Sequence, residues 1–179
     1  MRRTILGLFC CVALHSIGIS AQAQEAVKIG VLMTYTGQFS DAAAQMDNGI
    51  KLYMKQYGNA VAGKTIELIR KDDAGAPDAA KRLAQDLIVN DGVDILAGFV
   101  ITPEALTVAD LSLQAKKFMV VMNAATSIIT TKSPYITRSS LTTPQNCDVL
   151  GTWASRNGVR RVFTMVSDYG PGIDAERSF

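Results

Sequence analysis

Four times between residues 27 and 127 a compact apolar run is followed by a small polar loop, and three of those loops lead into a stretch with helical spacing. Strand–helix alternation on short connections indicates a parallel sheet with right-handed crossovers, because two parallel strands cannot be joined by a tight turn. The runs are continuously apolar rather than alternating, which implies cover on both faces. The expected fold class is α/β, a doubly wound parallel sheet.

The first strand is expected over 27–33, followed by the loop Thr34-Tyr35-Thr36-Gly37-Gln38-Phe39-Ser40. A helix over 41–57 comes next, with Ala43, Met46, Ile50, Tyr53 and Tyr57 on one face and Ser40 or Asp41 as its cap. Residues 58–63 read as a turn and 64–70 as a second strand. Pro77 suits the first turn of a helix running to Asn90, which buries Ala80, Leu83, Ala84, Leu87 and Ile88 and is closed by Gly92. The stretch 94–127 reads strand, loop, helix, strand, loop, with Thr102 as helix cap and Pro103 and Glu104 in the first turn. In a parallel sheet its two loops leave the same edge, where open α/β sheets bind ligands. Thr102, Thr126, Ser127 and several backbone N–H groups then meet at one rim, half of a small-molecule site.

After Ser127 the rhythm breaks. A short strand over 135–139, a polar crossover over 140–143, a helix from Thr143 to about Asn157, a strand over 159–166 and an unfinished helix over 173–179 are expected. This divides the chain into one lobe, 24–139, and a crossover with the truncated start of a second lobe, 140–179.

The first residues stand apart. Met1-Arg2-Arg3 is a basic start, 5–19 is apolar and Ala21-Gln22-Ala23 is a small-residue cleavage pattern, which together read as a secretory signal peptide cleaved after Ala23. The apolar run is short of the roughly 20 residues that a membrane span needs, and Phe9 before Cys10 argues against a lipid anchor. Its removal takes Lys plus Arg from 18 to 16 against 16 acids, so the remaining chain is formally neutral and shows no basic patch for nucleic acid. One cysteine remains, Cys147, and no internal disulfide can form. The only histidine, His15, is also lost. The product is expected to be exported.

That loss weighs against catalysis. There is no Ser-His or Cys-His pair, no Gly-x-Ser-x-Gly elbow, and no phosphate-cradling glycine motif after any strand. Asp72-Asp73 reads as a solvated loop or helix-end partner, and Cys147 as buried core beside Leu150 and Ala154. No cofactor is expected. Binding chemistry is better supplied. Helix N-termini attract carboxylates, and Thr102 and Thr126 add hydroxyl donors. Tyr35 and Phe39 in the first strand-end loop, and Tyr169 in the last, can wall an apolar ligand portion.

The ordered set Val27-Lys28-Ile29-Gly30-Val31-Leu32, Thr36-Gly37, Ala62-Gly63-Lys64, Arg70-Lys71-Asp72-Asp73, Ala79-Ala80 with Leu83 and Leu87, the Thr102 turn, Ala124-Ala125-Thr126 and Asp168-Tyr169-Gly170-Pro171-Gly172 resembles the periplasmic solute-binding proteins of ABC importers in the leucine/isoleucine/valine-binding class. The resemblance implies the type I periplasmic binding protein fold. It also implies that the hydroxyl of Thr102 binds a ligand carboxylate, aided by the Ala124 backbone and the Thr126 hydroxyl. Tyr169 reaches in from the second lobe, and the Tyr35–Phe39 loop borders the pocket. Serine is commoner at the Thr102 position, and family members continue well beyond Phe179.

The function implied is that of an importer's substrate-binding component. It would close by hinge motion on a branched-chain or related amino acid, or on an aromatic acid, amide or urea. Its partners would be the membrane permease subunits, its state monomeric when full length and its location the periplasm. A ligand-sensing extracellular domain of a receptor with this fold is an alternative. A small exported hydrolase is another, against which the missing histidine counts.

Overall fold

A computed structural model describes residues 26–179. The expected leader and its cleavage after Ala23 lie outside the described residues. Strands β1 (Ala26–Met33), β2 (Ala60–Val61), β3 (Lys64–Asp72), β4 (Ile95–Gly98), β5 (Phe118–Val121) and β6 (Ile136–Arg138) form one sheet in the order β2-β3-β1-β4-β5-β6. All neighbouring pairs are parallel except β2 with β3. Helices α1 (Ser40–Tyr57), α2 (Pro77–Val89) and α3 (Thr102–Ala115) supply the crossovers, and α4 (Thr143–Arg156) and α5 (Gly170–Ser178) follow β6.

The continuous apolar character of β1 is explained by cover on both of its faces. Leu32 joins Ala80, Ala84 and Leu87 of α2 and Ala105, Val108 and Ala109 of α3 on one side. Val31 and Met33 join Ala43, Met46 and Ile50 of α1 on the other. Gly30 lies on the α2 side, where an added Cβ would stand 2.9 Å from Leu87 Cδ1, so the missing side chain lets α2 lie close.

Five expectations need correction. Neither Ser40 nor Asp41 caps α1; Phe39 stands at that position with no capping hydrogen bond, and its ring packs against the Val31–Met33 cluster instead. The far end of the α1 face also stays in water, Tyr53 and Tyr57 being exposed with ring centroids 4.8 Å apart. The expected turn over 58–63 contains the short β2, and its hairpin with β3 closes through Ala62 (φ 50°) and Gly63 (φ 79°), both left-handed as a two-residue hairpin requires. Residues 159–166 are not a strand. No described strand pairs with them, and Phe163 is 95% exposed, so nothing satisfies an extended backbone there. Cys147 is half-buried rather than core, beside an exposed Leu150, Ala154 being the one buried residue of α4.

Candidate functional site

The connection from β4 to α3 is shaped by its backbone. Gly98 has φ 119°, and a side chain there would collide with the Leu32 carbonyl oxygen. Phe99, fully buried, follows at φ 67°, an uncommon conformation for a bulky residue. Hydrogen bonds hold this turn on three sides. The Phe99 N–H donates to Leu32 O (2.9 Å), Met122 N–H to Gly98 O (2.8 Å) and Ala124 N–H to Phe99 O (3.0 Å). The Asn123 side chain donates to Val100 O (2.7 Å). Loops leaving β4 and β5 are thereby joined into one rigid rim.

Thr102 was expected to cap α3. It is instead the first helical residue, and Ile101 takes the cap position with its N–H donated to Glu104 Oε2 (3.1 Å). Glu104 thus does the capping and leaves the Thr102 hydroxyl to face Thr126, Oγ1 to Oγ1, at 2.7 Å. Both threonines are buried. Gly170, at the start of α5, lies against them; a Cβ there would stand 3.2 Å from Thr102 Cγ2 and 3.4 Å from Thr126 Oγ1. Arg138 donates to the carbonyls of Thr126 (2.6 Å) and Ala125 (3.4 Å) from beneath. Asp174 of α5 accepts from the Ser127 N–H and hydroxyl, both at 2.8 Å.

A cleft of about 590 Å³ opens beside the threonine pair. Of the expected site residues, Phe39, Thr102, Ala124 and Tyr169 line it. Thr126 lines an adjoining hollow of about 430 Å³ with Ser127, Ile128 and Gly170. Tyr35 lines neither. Its ring packs on the β1–α1 cluster and its hydroxyl reaches Asp47 at 3.5 Å, burial and the Asp47 charge together pushing its pKa up to about 12. The Ala124 N–H is engaged by Phe99. Met122, Asn123, Ser139, Ser140 and Leu141 line the cleft and were not anticipated. Ser139 to Leu141 follow β6, so the rule that placed Thr102 and Thr126 at strand ends applies to them equally. No lining residue of the cleft carries a charge.

Asp72 and Asp73 separate sharply. Asp72 accepts the N–H groups of Tyr35, Thr36 and Ala74 and the Thr36 hydroxyl, tying the loop after β1 to the loop after β3. Burial alone would raise its pKa, but these donors hold it below the usual value. Asp73 is fully buried, which removes the solvated-loop alternative for it, because it turns inward to Thr34 and Glu104. The Thr34 Oγ1 lies 2.8 Å from Asp73 Oδ1 and 3.0 Å from Glu104 Oε1. Burial, and then the nearby Asp73 charge, raise Glu104 to about 7 against the opposing Ile101 N–H. Among the described residues no cluster of three or more His, Cys, Asp or Glu could hold a metal ion, and no helix is long and apolar enough to cross a membrane.

Known proteins share this fold. A family model described as periplasmic binding protein matches residues 26–179. A curated relative, Leu/Ile/Val-binding protein homolog 6 of Brucella abortus, is 44% identical over 168 residues, 93% of this chain and 43% of the relative. A solute-binding protein of an ABC transporter from Rhodopseudomonas palustris BisB5, solved in complex with 3,4-dihydroxybenzoic acid, is 52% identical with TM-score 0.83, over 86% of this chain and 42% of that one. Another from Rhodopseudomonas palustris HaA2, in complex with p-hydroxybenzoic acid, is 46% identical with TM-score 0.83, over 87% and 42%. The chain spans less than half the length of these relatives. Family and fold are those of solute-binding proteins and not of enzymes. With a family match across all described residues and a shared fold, the chain belongs to the periplasmic solute-binding proteins of the leucine/isoleucine/valine-binding, type I class.

Proposed function

We propose that this chain belongs to the substrate-binding component of an ABC importer and contributes one wall of a cleft for a small carboxylate-bearing solute, an aromatic acid of the hydroxybenzoate kind before an amino acid. The observation that carries the reading is the buried Thr102–Thr126 hydroxyl pair at the N-terminus of α3, beside a cleft with no charged lining. Two hydroxyls with a helix N-terminus suit a carboxylate. Phe39, Met122, Leu141 and Tyr169 offer apolar and aromatic surface for a ring. Two relatives above 45% identity are complexed with hydroxybenzoic acids, which favours the same class here.

Residues 24–139 form the first lobe in this reading, and 140–179 the crossover and start of the second, from which Tyr169 approaches. Residues 1–23 direct export to the periplasm, and the membrane partners are permease subunits. Isothermal titration of the full-length protein with 4-hydroxybenzoate and with leucine is the test. Saturable binding of 4-hydroxybenzoate at least about tenfold tighter than leucine, a difference of about 1.4 kcal/mol, is expected. Preference for leucine would reverse the assignment of solute class.

A further inference from the structure

Thr34, Asp73 and Glu104 come from three different connections, after β1, after β3 and at the start of α3, and meet with each residue 0–1% exposed. The Thr34 hydroxyl has one hydrogen to donate, yet its oxygen lies within hydrogen-bond distance of both carboxyl groups. Were both carboxyls ionised, one of the two contacts would set a lone pair against a buried negative oxygen. A proton on one carboxyl removes the conflict.

The surrounding bonds say which one holds it. Asp73 Oδ1 accepts twice, from Thr34 Oγ1 and from the Gly75 N–H at 3.0 Å, so this oxygen carries no proton. Glu104 Oε2 accepts from the Ile101 N–H, leaving Oε1 to donate to Thr34. The resulting relay runs from Glu104 O–H to Thr34 Oγ and from the Thr34 O–H to Asp73. Asp73 Oδ2 is buried with no hydrogen-bond partner, so the pair is short of donors for two negative charges. The neighbouring cations of β3 are committed elsewhere, Arg70 to Asp47 and Lys71 to Asp86 and Asp91. Asp72 turns outward to its N–H donors.

We propose that Glu104, held protonated by Thr34 and Asp73, is a positioning residue that fixes the N-terminus of α3 for an anionic ligand and releases it on ionisation. The consequence rests on the cleft reading given above, since it is Ile101 and Thr102 at this terminus that line the cleft. Once Glu104 loses its proton to solvent, Thr34 can satisfy only one carboxylate, and a negative charge stands behind the site that receives the solute. Linkage fixes the size of the effect: each unit by which bound anion raises the Glu104 pKa weakens affinity about tenfold above that pKa.

Glu104→Gln tests this in the full-length protein, because the amide still accepts from Ile101 and donates permanently to Thr34. Urea denaturation from about pH 5 to about pH 8 should show wild-type stability falling with pH relative to the variant, since a raised carboxyl pKa contributes stability that is lost as Glu104 ionises. Affinity for 4-hydroxybenzoate should fall over the same range in the wild type and stay flat in Glu104→Gln. Parallel slopes in stability would overturn the proposal. Carboxyl carbon NMR of wild-type protein labelled at glutamate gives an answer even if the variant does not fold. One glutamate should remain protonated at about pH 6, well above the ordinary range, and complete ionisation by that pH would also overturn it. A stability slope removed by Glu104→Gln without any 4-hydroxybenzoate binding would keep the relay and remove the cleft reading.

Discussion

Each threonine hydroxyl of the pair has only the other as its described side-chain partner, 2.7 Å away, and both are shielded from water. A bound carboxylate would exchange one neutral hydrogen bond for two charge-assisted ones, which are roughly twice as strong. Thr102→Ala and Thr126→Ala are therefore each expected to weaken solute binding by about 1.5–3 kcal/mol, read by calorimetry on the full-length protein. Neither hydroxyl caps a helix, but each variant leaves the other hydroxyl buried without its partner, so folding stability should be measured beside affinity. Unchanged affinity in both variants would remove them from the site. Gly98 is a residue-scale constraint of another kind: Gly98→Ala drives a methyl into the Leu32 carbonyl at a φ that alanine avoids. Loss of about 2 kcal/mol or more in urea denaturation is expected. The types of these residues were legible in the sequence, but the side-chain roles were not. Thr102 read as a cap because Thr before Pro-Glu fits that pattern, whereas Glu104 reaching back to Ile101 is a tertiary choice made possible by burial.

At the scale of elements, periodicity was a reliable guide wherever a partner existed. The apolar positions of α2 sit where their spacing put them, and the continuous run of β1 is covered on both faces. Residues 159–166 are also largely apolar but pair with no described strand, so β-propensity had no ladder to act through. The helix α4 shows local sequence sufficing: Thr142 and Gln145 form a reciprocal capping box, the Thr142 N–H donating to Gln145 Oε1 (2.7 Å) and the Gln145 N–H to Thr142 Oγ1 (3.4 Å). Thr142→Ala should cost about 1 kcal/mol, and Thr142→Ser should restore most of it in the same denaturation assay. The Asp72 clasp could not be read from its sequence, because its four donors lie on two loops that only the sheet order brings together.

For the molecule as a whole, charge and exposure set the behaviour in solution. Asp47 is buried, which alone would raise its pKa, but Lys51 and Arg70 more than offset this and hold it below the ordinary value. Its contribution is present above the unfolded carboxyl range and disappears as pH falls through the depressed value. Asp47→Asn should flatten the acid limb of a thermal stability profile while lowering the plateau near neutrality. The 179-residue chain also leaves Phe163 and Met165 more than 90% exposed beside exposed Val162. The position of Gly170 against the threonine pair has a kinetic meaning. With Gly170 against the pair and Asp174 tied to Ser127, α5 covers the Thr126 side of the hydroxyls, and the Asp174–Ser127 bonds are expected to slow solute entry. Stopped-flow traces should show an observed rate that levels off as solute concentration rises, and Asp174→Ala should raise that ceiling.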